Sequence, residues 1–186
     1  MAIFSATLDA NVLVPIALAD TLLRCAEKML FRPIWSARIL NEVEGAVGEI
    51  HRSLPPHYIA DRTASMNRAF PGALTNGFEH IELGLALPDP DDAHVLAAAI
   101  HSHSDAIVTA NLADFPADYI ATFGIEVKSP DDFLLDQLDM ASAVVVDALR
   151  EQAGATRNPS RDLVYVLGAL GRAGVPSFAD EVARRL

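Results

Sequence analysis

Four carboxylates, Asp9, Glu42, Asp92 and Asp114, are the side chains of this 186-residue chain best suited to do chemistry together. Asp9 ends the apolar run from Ile3 to Leu8, and Asp114 follows Ala106-Ile107-Val108-Thr109. Asp92 opens a helical stretch, and Glu42 lies within one. Acids brought from such places to one end of a sheet repel each other strongly unless a divalent cation sits among them. Oxygen ligands of this hardness favour Mg2+ or Mn2+, and cations held this way serve phosphodiester cleavage. Cys25 is the only cysteine, which excludes an intrachain disulfide and a Cys-rich zinc site. No histidine pair joins a third at zinc-like spacing.

Each acid also has a plainer explanation. Asp9 could cap a helix beginning near Val12, and Asp114 could form an Asx turn within Asn111-Leu112-Ala113-Asp114-Phe115-Pro116. Asp89, Pro90, Asp91 and Asp92 start a helix, with Asp89 as N-cap and the following acids complementing the helix dipole. Offsets of three, four, seven and eight from Asp92 land on Val95, Leu96, Ala99 and Ile100, an apolar stripe; offsets of three, seven and eleven from Asp91 reach His94, Ala98 and Ser102. Asp92 therefore heads the inward face and is the functional choice, while Asp89 and Asp91 are left to the dipole. Glu42 and Glu44 each fall about 40° outside their helix's apolar stripe, on opposite flanks, and spacing does not separate them. His94 is assigned a structural or solvated place on the helix surface, and His101 and His103 are expected to be exposed.

The elements that must position these acids alternate between short apolar strands and helices. Strands are expected at 4–8, 33–35, 106–109 and 125–127, with a further short strand at 81–85. Helices are expected at 12–24, after Ser36, at 57–70, from the Asp89-Pro90-Asp91-Asp92 start to about 102, and from Ser129-Pro130 onward. This alternation specifies an α/β layer around a parallel sheet. From Leu135 the strand signals stop. Three helical pieces follow at 139–152, 160–172 and 177–186, separated by Gly154, by Asn158-Pro159 and by Gly174 to Pro176. The division is residues 1–134 as the α/β unit and residues 135–186 as a small helical appendage, which is expected to pack on the core.

Apolar residues make up 51% of the chain and charged residues 21%, enough for a packed core and too apolar for a disordered chain. The N-terminus has no basic region ahead of its apolar run, and no run approaches the roughly 18 apolar residues that span a bilayer. A soluble cytoplasmic protein, not a membrane protein, is expected. The net charge of −11 disfavours non-specific binding to long duplexes. Residues 1–134 hold 8 Lys/Arg against 18 Asp/Glu, and residues 135–186 hold 6 against 7, so the acidity belongs to the unit carrying the four carboxylates.

The segments LDANVLVP, WSARILNEVEGAV, PDPDDAHVLAAAIHSHSDAIVTANLADFP and GIEVKSPDDFL occur in that order and together resemble the PIN domain, in the branch that includes VapC-type toxins of bacterial toxin–antitoxin pairs. The likeness covers about residues 1–134, and the helical tail resembles a C-terminal extension of some of these toxins. It implies a Rossmann-like α/β/α fold with a central parallel sheet and a Mg2+- or Mn2+-dependent endoribonuclease. The family's acidic quartet falls on Asp9, Glu42, Asp92 and Asp114, with Asp9, Asp92 and Asp114 as the metal-holding members. Its supporting polar residues fall on Asn11, Thr109 and Asn111. The resemblance thus favours Glu42 over Glu44. It also implies an RNA substrate and a cognate antitoxin that presents a basic residue to the acidic cleft. The stretch 51–87 is longer than in many small toxins of this type; its Arg52, Arg62 and Arg68 make it a candidate RNA-facing or homodimer-forming arm. Two rivals remain. One is a PIN-like interaction module without activity. The other is a phosphatase of haloacid-dehalogenase type with Asp9 as nucleophile, although Asn11 stands where that chemistry needs a second acid and Lys28 and Lys128 are the only lysines.

Overall fold

The computed structural model describes residues 3–155 and 162–186. The expected break at Asn158-Pro159 and the expected helix start at Ser160 lie outside the described residues. Among the described residues, five short strands form one sheet in the order β3-β2-β1-β4-β5. These are β1 (Ser5–Leu8), β2 (Arg32–Ser36), β3 (Leu74–Thr75), β4 (Ala106–Val108) and β5 (Glu126–Lys128). Every pairing is parallel, with Thr7 of β1 opposite Ile34 on one side and Ile107 on the other. β1 and β4 are buried along their whole lengths, as strands with both faces covered must be.

The topology opens the site. From β1 the chain travels outward to β2 and β3, then crosses back to β4 and β5 on the other side of β1. The direction of travel reverses between β1 and β4, and in such sheets a crevice forms there, beyond the carboxyl ends of the strands. Asp9 directly follows β1 and Thr109 directly follows β4, and the Asp9 N–H donates to the Val108 carbonyl at 3.1 Å.

Two helices, α1 (Ala10–Leu13) and α2 (Ile16–Glu27), link β1 to β2 where a single helix over 12–24 was expected. Pro15 has no N–H to continue the first ladder and becomes the N-cap of the second helix. Ser36 starts α3 (Ala37–Ile50) as its spacing implied, accepting from the Ile39 N–H at 3.1 Å. Ile39, Leu40, Val43 and Val47 form its buried stripe, while Ile50 at its end is exposed. Helix α4 (Pro56–Ala69) is tied to β2 through Trp35, whose Nε1 donates to Asn67 Oδ1 at 2.8 Å and whose ring meets Phe70 edge-on.

No strand forms at 81–85. Phe78, Ile81 and Leu85 are spaced by three and four, and they pack on Ala97 and Ala98 of α6 (Ala93–His101); the local chain accordingly makes α5 (Glu79–Glu82). The extra strand is instead the two-residue β3. Helix α7 (Ala117–Ala121) connects β4 to β5.

The C-terminal part consists of α8 (Pro130–Ala155), α9 (Leu163–Arg172) and α10 (Pro176–Arg185). The expected helix start at Ser129-Pro130 and the expected helix at 139–152 belong to one element that bends at Ala141, where φ is −148° and ψ is 55°. Val145, Leu149, Leu170, Phe178 and Val182 share one hydrophobic core with Leu8, Val12 and Leu22, so the tail packs on the core. Polar contacts fix this docking. Thr21 Oγ1 donates to Gln152 Oε1 at 2.7 Å in a buried pair, and Gln152 Nε2 donates to the Ala17 carbonyl at 2.9 Å. Asp131, in the first turn of α8, accepts the Ser177 and Phe178 N–H groups at the start of α10, at 3.1 and 2.7 Å. No helix of the described residues is long and apolar enough to cross a membrane.

Thr21→Val keeps the side chain's shape but leaves Gln152 Oε1 buried without its donor. Urea unfolding of the full chain should show a loss of about 1–3 kcal/mol. An unchanged midpoint would mean that this pair does not hold α8 on α2.

Candidate active site

Asp9 is only 5% exposed, and both of its oxygens accept hydrogen bonds from neighbours. Oδ1 accepts from the Ala10 N–H at 2.7 Å. Oδ2 accepts from Asn11 Nδ2 at 2.6 Å and from Thr109 Oγ1 at 2.7 Å. Thr109 has no exposure at all, and its hydroxyl uses its whole hydrogen-bonding capacity. It donates to Asp9 and accepts from Asn11 Nδ2 and from the Asn111 N–H, each at 3.0 Å. Asn11 closes the network, because its Oδ1 accepts from the Ala110 N–H at 2.9 Å and so ties the end of β1 to the loop after β4. The plain N-cap role is also real, since Asp9 caps the short α1. Burial pushes the Asp9 carboxyl above its ordinary 3.8, against the lowering effect of Thr109 and the Ala10 N–H, with Glu42 adding to the rise.

Asp92 and Asp114 come together beside it, with a third member. One carboxylate oxygen from each of Asp89, Asp92 and Asp114 lies within 4.8 Å of the others, a group able to hold a metal ion. The dipole-only role given to Asp89 is corrected here. Pro90–Asp92 is a 3-10 turn, with three residues per revolution, so positions i and i+3 come to the same side. Asp89 therefore caps the turn, accepting from the Asp91 N–H at 2.9 Å, and also stands beside Asp92. Its capping and dipole roles sufficed to explain Asp89 in the sequence and so masked this second one. Asp91 is exposed and makes no part of the group. In the loop after β4, Asn111 Nδ2 donates to Asp114 Oδ2. Asp92 is held up to about 6, first by desolvation and then by the negative charges of Asp9, Asp114 and Asp89.

The two glutamates of α3 part company. Glu42 Oε1 is 2.9 Å from His94 Nε2, whereas Glu44 accepts from the Thr63 hydroxyl of α4. His94 was expected on the helix surface, yet it is 1% exposed. The sequence held the clue. Apart from His94, positions 93–99 of α6 are Ala, Val and Leu, so the helix has no polar face and is buried on all sides. Arg38 was also missed. Its guanidinium reaches Glu82 Oε1 at 2.8 Å, the Asp91 carbonyl at 3.3 Å and Glu42 at 3.7 Å, bridging α3, α5 and the 3-10 turn. His101 and His103 are exposed.

The three arginines of the 51–87 stretch do not join this group. Arg62 is corrected most clearly: its guanidinium is half-buried and donates to the Leu13 and Val14 carbonyls, satisfying the end of α1. It lines a cleft of about 410 Å³ between α2 and α4 whose walls contain none of the clustered acids. Arg68 donates to Ser65 Oγ at 2.7 Å, and Arg52 is exposed.

The chain is similar to known proteins in two stretches. A family model described as "PIN domain" matches residues 5–113, more than half of the chain, and one described as "VapC50 C-terminal domain" matches residues 130–184. A Mycobacterium tuberculosis (strain ATCC 25618 / H37Rv) protein named "Putative ribonuclease VapC50" is 42% identical over 95 residues. That alignment covers 51% of this chain and 55% of the relative, so the chain spans about half the length of the curated relative it matches. No solved structure matches the chain significantly.

The folded pKa of Asp92, about 6, exceeds its ordinary 3.8, so this group favours folding below about pH 4 and that contribution is lost as pH rises through about 6. Asp92→Asn should therefore raise the melting temperature of metal-free protein near neutral pH, and the gain over wild type should fade toward pH 4. A gain independent of pH would contradict the raised Asp92 carboxyl described here.

Proposed function

The chain belongs to the PIN-domain family, and on that premise we propose that it is a divalent-metal-dependent endoribonuclease acting as the toxin of a toxin–antitoxin pair. The observation that carries the reading is the convergence of Asp89, Asp92 and Asp114 beside buried Asp9, at the crevice between β1 and β4. The three gathered carboxylates offer hard oxygen donors, which suit Mg2+ or Mn2+ better than softer metals. Asp92, Asp114 and Asp89 would hold the ion, with Asp9 close behind. A bound divalent cation supplies Lewis acidity and charge neutralisation for attack of water at phosphorus.

The protein's own residues do the rest. Thr109 and Asn11 fix the Asp9 carboxylate in one orientation, and Asn111 does the same for Asp114. Asp92, with its carboxyl held near neutrality, is suited to exchange a proton at its oxygens until a cation displaces that proton. The similarity to a protein named as a ribonuclease supports RNA as the substrate. A cognate antitoxin offering a basic side chain to the acidic cleft fits the charge of residues 1–134. Such a toxin would work in the cytoplasm, where its substrate lies. Exposed Arg52 and Arg68 remain the candidates in the 51–87 arm for RNA contact or for a homodimer.

The phosphatase reading fares worse. Both Asp9 oxygens are occupied by donors, and Asn11 holds the place of the required acid. Lys28 is paired with Asp147 and Glu151, and Lys128 with Asp136 and Glu126, leaving neither for a phosphate at Asp9.

Full-length protein with Mn2+ should cut total cellular RNA at defined positions and stop when EDTA is added. Asp9→Asn and Asp92→Asn should each lower the rate by roughly 100-fold or more while circular dichroism stays unchanged. Undiminished cleavage by either folded variant would overturn the assignment, and no cleavage by metal-replete wild type would favour the non-catalytic module.

A further inference from the structure

His94 is the only polar residue among positions 93–99 of α6, and burying its imidazole costs free energy unless its nitrogens are paired. One is: Nε2 lies 2.9 Å from Glu42 Oε1 on α3. The other, Nδ1, is buried and has no hydrogen-bond partner among the described residues. If the ring's hydrogen sits on Nε2, only a lone pair is left unpaired at Nδ1. A hydrogen on Nδ1 would strand a donor in the core, which costs more. The ring is therefore built to donate toward Glu42, at a site that an apolar side chain would fill with no unpaired atom.

Glu42 needs such a partner. Its side chain is 40% exposed, and a free glutamate at that exposure would spread over several rotamers. Arg38, one turn earlier, approaches the same oxygen at 3.7 Å but is shared with Glu82 and the Asp91 carbonyl. The closer contact comes from His94, whose own side chain is buried. The charge of Glu42 is already felt at Asp9, so the carboxylate lies near the acid group. We propose that His94 is a positioning residue that fixes the Glu42 carboxylate at the acid cluster through an Nε2–H donor, so that Glu42 contributes to holding a divalent cation. Its activity consequence rests on the nuclease reading; its geometric and metal-binding consequences do not.

Four full-length variants test it: His94→Gln, which keeps a donor near the place of Nε2; His94→Leu, which removes it; Glu42→Gln; and the double variant His94→Leu/Glu42→Gln. Calorimetric titration with Mn2+ and RNA cleavage should both show about a ten-fold or larger loss for His94→Leu, in affinity and in kcat, with KM for RNA little changed. His94→Gln should recover most of that loss. In the Glu42→Gln background, His94→Leu should change Mn2+ affinity less than two-fold, because the group it positions is already altered. A merely structural histidine would instead give equal losses in the Gln and Leu variants, added in full to that of Glu42→Gln. Those results, or a His94→Leu protein within two-fold of wild type, would overturn the proposal. Should His94→Leu not fold, 15N NMR of the imidazole in metal-free wild type and Glu42→Gln protein decides: a hydrogen on Nε2 that is protected only in wild type supports the proposal, and a hydrogen on Nδ1 overturns it. Wild type that binds Mn2+ yet cuts no RNA would sink the nuclease reading alone.

Discussion

Mutual repulsion among acids is the constraint on which the rest of this molecule depends. Asp9, Asp89, Asp92 and Asp114 are drawn to the point where the sheet reverses its direction of travel, and desolvation there strengthens every charge–charge interaction. Desolvation first, and then that crowding, raises the Asp92 carboxyl to about 6. A fold that keeps carboxylates in such an arrangement carries a destabilising element when nothing is bound, and the remainder of the structure has to offset it. The core does so in bulk, with α8, α9 and α10 contributing to the same apolar cluster as β1 and α2.

Local hydrogen bonds then give the acids fixed directions. Asn11 in α1 and Thr109 just after β4 hold Asp9 from two elements at once, and the short 3-10 turn brings Asp89 to the same side as Asp92. On the other flank, α6 is buried on all sides and delivers one polar side chain, His94, to Glu42. These supports are side chains on rigid elements, which is what fixed ligand geometry requires. The C-terminal helices take part at a distance: the buried Thr21–Gln152 pair and the Asp131 cap of α10 hold them against α2 and α8.

Much of this was legible in the residues. Apolar runs ending in Asp9 and before Asp114 marked strand ends, and Ser36 marked the start of α3. The parallel α/β alternation followed from the order of elements. What escaped had physical reasons. Pro15 splits a helix whose apolar spacing runs on across it, because periodicity does not register a missing N–H. The strand expected at 81–85 rested on apolar content, while contacts with α6 at spacings of three and four selected a helix. Asp89 was obscured because its role as N-cap already accounted for an acid at that position. Arg62 looked like a surface cation because its charge gave no sign of the Leu13 and Val14 carbonyls that it satisfies. Glu42 and Glu44 were equivalent by helical angle, and only the tertiary partners, His94 for one and Thr63 for the other, tell them apart.

The central claim is that these acids converge in order to hold a hard divalent ion, and its most direct measurement is anomalous scattering from crystals of the full chain soaked in Mn2+. The account predicts a peak bounded by Asp89, Asp92 and Asp114, with Asp9 behind it. A well-ordered crevice free of any peak, at Mn2+ concentrations that saturate ordinary carboxylate sites, would contradict it.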